Sequence, residues 1–188
     1  MPHHRTPIAE AADHLSRELP GHRVEILLGR LTAAPPADGR HARTLTRLTV
    51  AFHEAGTEKA GLQVLQGIGI SLPTGENDYA VPDFSLVEAD FLDHEVTKNR
   101  FRPDAFRMIL EIASSNWAND TGTKVESYAR ADVPVYAIAD RRHDEVVIHT
   151  DPRATSYRLH RTFKRGMTLP LPDHLGVTLE LPVDMLLD

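Results

Sequence analysis

Three charged side chains occupy positions that ordinary surface residues avoid. Glu111 falls inside the apolar run Met108-Ile109-Leu110-Glu111-Ile112-Ala113. A carboxylate in a buried strand is costly unless a cation or strong donors compensate it. A strand-end Glu facing solvent, or one salt-bridged to an arginine, is the plainer alternative. Asp83 sits in VPDFSLV, within a segment of strand character where Val81, Ser85 and Val87 share its face. Asp is depleted in strand interiors, and a Pro-Asp turn is the competing explanation. Lys124 lies near the start of a helical segment, four residues after Asp120. That spacing makes a plain i,i+4 ion pair, although a lysine near a helix N-terminus is disfavoured by the dipole. Taken together the three suggest one chemistry. Carboxylates converging from neighbouring strands make a hard-oxygen site for Mg²⁺ or Mn²⁺. A nearby ammonium can position an attacking water and stabilise charge on phosphoryl oxygens.

The elements that must position these residues can be read along the chain. Apolar residues at helical spacing (Ile8, Ala12, Leu15, Leu19) predict a first helix ending at Pro20-Gly21. Residues 23–28 and 30–33 read as a strand pair about Gly29. Asp38 is placed to cap a second helix that reaches about Ala55 and closes at Gly56. Residues 62–72 suggest one strand bent at its glycines, and residues 79–87 another. The polar stretch 96–104 reads as a loop. Residues 107–113 (RMILEIA) have the signature of a buried central strand. A helix over about 117–131 is stopped by Pro134. Strands follow at 135–139, 145–150 and 156–160, then a strand and a short terminal helix or turn. This order predicts an α/β or α+β fold with a mixed sheet.

The length of 188 residues suits a single domain, residues 1–188, with a sizeable core. No run of apolar residues is long enough to span a membrane, and the first residues lack a signal-peptide core. Cysteine is absent, which excludes a disulfide framework and a thiolate nucleophile or metal site. A cytoplasmic location is the default expectation. The eleven histidines form no HExxH motif, and neither a serine nucleophile elbow nor a phosphate-binding glycine loop is present.

The formal charge of −6 argues against a protein that coats nucleic acid non-specifically. Yet residues 141–165 carry seven basic against three acidic side chains, a local +4, while 83–95 carries five acids and Lys or Arg nowhere. An acidic pocket beside a basic flank suits a metal enzyme acting on phosphodiesters. Chance clustering on a solvated surface is the alternative.

The motifs resemble those of the PD-(D/E)XK nuclease superfamily, and within it the restriction endonuclease-like group labelled Uma-two. VEILLGRL, a Pro-rich turn and His41 are similar to that group's Glu-x-x-x-Gly-x-Leu and following His. VPDFSLV is similar to its Pro-Asp strand. LEIASSNWANDTGTKVESYARADVPVYAIAD is similar to its Glu strand, Asp-x-x-x-Lys helix, Tyr and closing strand. The usual Ser-Pro-Ser is Ser114-Ser115-Asn116 here, and the stretch from Glu111 to Asp120 is one residue short.

The resemblance implies a restriction endonuclease-like core: a mixed β-sheet flanked by helices. It implies Asp83 and Glu111 as metal ligands, Lys124 as the catalytic lysine, and Asp120 and Glu25 as supporting residues. His41 matches without an assigned role. With it come Mg²⁺ or Mn²⁺ as cofactor and nucleic acid, DNA before RNA, as substrate. Arg158 and Arg161 of the basic flank are the expected nucleic-acid contacts. No membrane partner is expected, and a homodimer is left open. Two rival functions remain at this stage: a catalytically silent interaction protein on the nuclease scaffold, and a hydrolase of small phosphate esters.

Overall fold

The computed structural model describes residues 6–113 and 118–188. The fold is built outward from the apolar run containing Glu111, which forms β9 (Phe106–Ala113). This strand sits inside a six-stranded sheet with β3 (Leu62–Leu65), β6 (Phe84–Glu88), β10 (Val135–Asp140), β11 (Glu145–Arg153) and β12 (Ser156–Lys164), in the order β12-β11-β10-β9-β6-β3. β9 and β10 are parallel, and every other neighbouring pair is antiparallel. The parallel pair needs a crossover, supplied by a π-helical turn at Asn119–Thr123 running into helix α3 (Lys124–Arg130).

Alternation along β9 separates two environments. Met108, Leu110 and Ile112 face an apolar layer containing Leu48 and Phe52 of α2 (Gly39–Glu54) and the C-terminal α4 (Val183–Leu187). A two-stranded ribbon, β13 (Thr168–Pro170) with β14 (Glu180–Pro182), completes that layer. Ile109, Glu111 and Ala113 face the other way, towards Tyr128 of α3 and Tyr136 of β10.

A second sheet covers the Glu111 side. Its order is β2 (Arg30–Ala34), β1 (Arg23–Leu27), β5 (Tyr79–Ala80), β4 (Gly69–Ser71), β8 (Arg100–Phe101), β7 (Glu95–Thr97). Helix α1 (Pro7–Glu18) packs on β1 and β2. The Asp38 side chain caps α2 by accepting from the His41 backbone N–H at 2.8 Å, and Gly56 ends the helix in left-handed conformation with φ 82°.

Four expectations are corrected. Residues 62–72 are two strands, β3 and β4, in different sheets, because the chain turns at Gly67 with φ 68°. Residues 79–87 are likewise split into β5 and β6, with Pro82-Asp83 as the passage between sheets. Asp83 therefore stands just before a strand rather than inside one. The stretch read as a loop, 96–104, holds the β7–β8 hairpin and a 3₁₀ turn at Pro103–Ala105, since β8 finds a parallel partner in β4. Within the helix read from 117, Asn119–Thr123 form a π turn ahead of α3, and its expected first residue, Trp117, lies outside the described residues, as do Ser114, Ser115 and Asn116.

Candidate active site

The passage from one sheet to the other brings Asp83 against Glu111. The Asp83 backbone N–H points at Glu111 Oε2 at 3.3 Å, and the Ile112 N–H donates to Asp83 Oδ2 at 2.8 Å. The second sheet brings Glu25 from β1, whose Oε1 accepts from the Val81 N–H at 2.8 Å. The crossover brings Lys124 and Asp120, one turn apart on the face directed at the sheet. Lys124 Nζ donates to Glu111 Oε1 at 2.7 Å and lies 3.2 Å from Glu25 Oε1 and 3.4 Å from Asp120 Oδ1. The structure thus gathers the five residues expected as metal ligands, catalytic lysine and supporting carboxylates into one buried cluster. Lys124 is 1% exposed and Glu111 wholly buried.

Reading the sequence did not single out Arg23. Its Nη1 is bonded to Asp83 Oδ1, lies 3.4 Å from Glu111 Oε2 and donates to the Val81 carbonyl at 3.3 Å. The signal was present, because Arg23 and Glu25 are two apart on β1 and so share a face. Glu111 is thereby the arginine-paired strand carboxylate that had been the plainer alternative. His41, in the first turn of α2, sets Nε2 3.3 Å from Asp83 Oδ1. The Tyr128 hydroxyl donates to Glu111 Oε1 at 3.1 Å, and the Tyr136 hydroxyl donates to the Asp120 carbonyl at 2.9 Å.

Two like charges packed together do not ionise equally. Burial drives the Glu111 carboxyl up to about 8, with Asp83 adding to the rise and Lys124 opposing it. Burial also pushes at Asp83, but the His41 hydrogen bond and the Arg23 charge overcome it and hold Asp83 below the usual carboxylate range. Asp120 is raised, chiefly by burial. Burial works against the Lys124 ammonium, yet Glu111 and Glu25 more than restore it, so the pKa rises and the charge is kept. Burial raises both tyrosines, which remain proton donors.

Glu25, Asp83, Glu111 and Asp120 thus face Lys124 and Arg23, four carboxylates against two permanent cations. Asp83 Oδ1 and Glu111 Oε2 converge on a single point, the one held by Arg23 Nη1. Two hard oxygens on one point suit Mg²⁺ or Mn²⁺, which keep several waters and bind through one or two carboxylates. Among the described residues no group of three or more His, Cys, Asp or Glu is arranged so that it could hold a metal ion, so a cation here would rest on these two carboxylates and water. Two clefts reach Asp83, of about 600 and 260 Å³, and both are lined by Arg23 and His41.

The expected nucleic-acid contacts are not brought to this cluster. Arg158 and Arg161 lie on β12, three strands from β9. Arg158 is paired with Asp151 at 2.6 Å. Arg161 stands opposite Ile148, on the sheet face away from Glu111, with its guanidinium 5.0 Å from the Phe163 ring. Among the described residues no helix is long and apolar enough to cross a membrane.

A family model described as "Putative restriction endonuclease" (Uma2) matches residues 9–184. Among solved structures, the chain is similar to the crystal structure of a protein from Anabaena variabilis ATCC 29413 described as a putative nuclease belonging to DUF820. The two share 14% identity over 87% of this chain and 89% of that one, with a TM-score of 0.67. At that identity the likeness concerns the fold, an α/β restriction endonuclease-like core with a mixed sheet flanked by helices. No curated protein matches the chain.

Proposed function

The chain belongs to the Uma2 family, whose model is described as Putative restriction endonuclease, and from that premise we propose that it is a metal-dependent endonuclease hydrolysing phosphodiester bonds, with DNA the expected substrate. One observation carries the reading: of four buried carboxylates, Asp83 and Glu111 aim one oxygen each at a single point beside an open cleft. Burial holds the Glu111 carboxyl up at about 8, and a divalent cation bound at that point would favour its ionised form.

Asp83 and Glu111 would hold Mg²⁺ or Mn²⁺, which when bound acts as a Lewis acid on the phosphoryl oxygen and lowers the pKa of its water. The Ile112 N–H fixes the Asp83 carboxylate, and Tyr128 with Lys124 fixes that of Glu111. Glu25 and Asp120 hold the Lys124 ammonium against Glu111, so Lys124 supplies permanent positive charge beside the reacting atoms. His41 and Arg23 stand on the open side of Asp83, where an incoming phosphate would meet them.

A second reading, a nuclease fold without catalysis, is favoured by Arg23, whose guanidinium already bridges the two carboxylates. An assay on plasmid, duplex and single-stranded DNA separates the two. The nuclease reading expects cleavage with Mg²⁺ or Mn²⁺, none in EDTA, and none by Asp83→Asn. Purified protein without metal-dependent cleavage of any of these, or an Asp83→Asn variant as active as wild type, would overturn it.

A further inference from the structure

The larger cleft, about 600 Å³, extends from Asp83 beneath the second sheet to the tip of the β7–β8 hairpin. Its charge is opposite to that of the chain. The whole sequence is at −6, yet among the described lining residues Asp83 is the one acid, against Arg23, Lys98 and Arg100 and two histidines. Arg23 lies on β1 and Arg100 on β8, three strand spacings apart in the sheet. At the usual strand separation that is roughly 14 Å. The span exceeds one phosphate group and suits a chain that repeats phosphates.

The hairpin tip is built to stay in place. Asn99 adopts left-handed backbone with φ 58°. Its side-chain amide donates to the Gly67 carbonyl at 2.9 Å, its N–H donates to Glu95 Oε1 at 3.0 Å, and its carbonyl accepts from the Gly69 N–H at 2.8 Å. Glycine fits closely at position 69, since a Cβ there would come within 3.2 Å of the Asn99 carbonyl oxygen, which would have to give way. Beside this anchor the Arg100 guanidinium lies over the Tyr79 ring, 3.6 Å from its centroid, with Asp13 near enough to act on its charge. Lys98, on the other side of the anchor, is exposed to the cleft. Arg100, fixed on the ring before the ligand arrives, loses little freedom on binding, and Lys98 stands on backbone that the anchor already holds.

We propose that this cleft seats a nucleic-acid strand, with Lys98 and Arg100 gripping its phosphates while the scissile phosphate reaches Asp83. The proposal rests on the nuclease reading of the carboxylate cluster, and moves substrate contact from the β12 edge to the hairpin. Asn99 is a positioning residue that acts through its two neighbours.

Fluorescence anisotropy with labelled single-stranded and duplex DNA, Ca²⁺ replacing Mg²⁺ to hold off cleavage, tests it. Lys98→Ala with Arg100→Ala should weaken binding at least tenfold. It should also reduce the slope of log K against log salt by about 1.4 to 1.8, two phosphate contacts' worth. Lys98→Arg should retain both, Arg158→Ala with Arg161→Ala should change neither, and melting curves confirm that each variant is folded. A hairpin variant that binds like wild type, or a loss confined to the Arg158 and Arg161 pair, overturns the cleft while leaving the nuclease reading intact. Inorganic phosphate binding as tightly as the oligonucleotide would overturn the polymer and indicate a small ester. Wild type that neither binds nor cleaves any DNA removes both proposals together.

Discussion

The two faces of β9 are made from adjacent residues of one strand and obey opposite rules. Met108, Leu110 and Ile112 enter a layer held by apolar packing, where each side chain is exchangeable for another of similar volume. Glu111, one residue away, enters a cluster where both of its oxygens have named donors and no partner can be removed alone. A folding face tolerates substitution and loses energy by volume. A chemical face loses energy by leaving a buried charge without its partner. The second sheet exists to close that chemical face, since it delivers Glu25 and Arg23 from β1 and sets Asp83 at its exit.

The sharpest break of this contrast is Lys124→Ala. It strands Glu111, Glu25 and Asp120 in a buried space without their shared ammonium. Breaking such a group by one partner costs about 3–5 kcal/mol, read by urea unfolding. Cleavage should fall by about 10²–10³ in whatever fraction stays folded. Lys124→Met, which keeps the volume, should lose stability almost as heavily, because charge rather than packing is missing.

Leu110→Ala probes the other face. Leu110 is fully buried, so the loss should be about 2–5 kcal/mol, depending on how far the cavity collapses. The metal-induced rise in melting temperature should be preserved, and so should cleavage below the transition. A Leu110→Ala protein that remained stable but failed to respond to metal would show that the two faces are coupled.

The smallest expected effect lies beyond both faces, at His149 on β11. Its ring is set among Tyr136, Tyr157 and His160. Burial, with a smaller contribution from His160, lowers its pKa to about 4. The unfolded chain titrates near 6.5, so folding favours the neutral ring. That stability is complete above about pH 6.5 and is lost as pH falls towards 4. Allowing for the ring's partial exposure, the loss is about 1 kcal/mol. His149→Asn should flatten the acid limb of melting temperature against pH over that window. An unchanged limb would assign it to other groups.

What could be read in the sequence follows the same division. A carboxylate inside an apolar run announces itself, so Glu111 and its strand were legible, as was the Asp38 cap of α2. Partner choice between sheets was not. Residues 62–72 and 79–87 have ordinary strand character throughout, and their division comes from a left-handed turn at Gly67 and the Pro82-Asp83 passage. Arg23 was missed because an arginine opening a strand looks like a surface residue, whereas here it is drawn onto two carboxylates. The run of basic residues at 141–165 shows the reverse: its charge was legible and its partners were not. Much of its charge is met locally, Arg158 by Asp151, Lys164 by Glu145 and Arg165 by Asp144. The three-residue tip at 98–100, with only two cations, had no density of charge to attract notice.

The central claim is that Asp83 and Glu111 form one divalent-cation centre, and melting temperature against metal concentration tests it most directly. Mn²⁺ or Mg²⁺ that binds only the folded protein stabilises it by RT ln(1 + [L]/Kd). Wild type should therefore melt at progressively higher temperature as either metal rises into the millimolar range, and Asp83→Asn should not respond. Wild type and Asp83→Asn melting alike at every metal concentration would contradict the account.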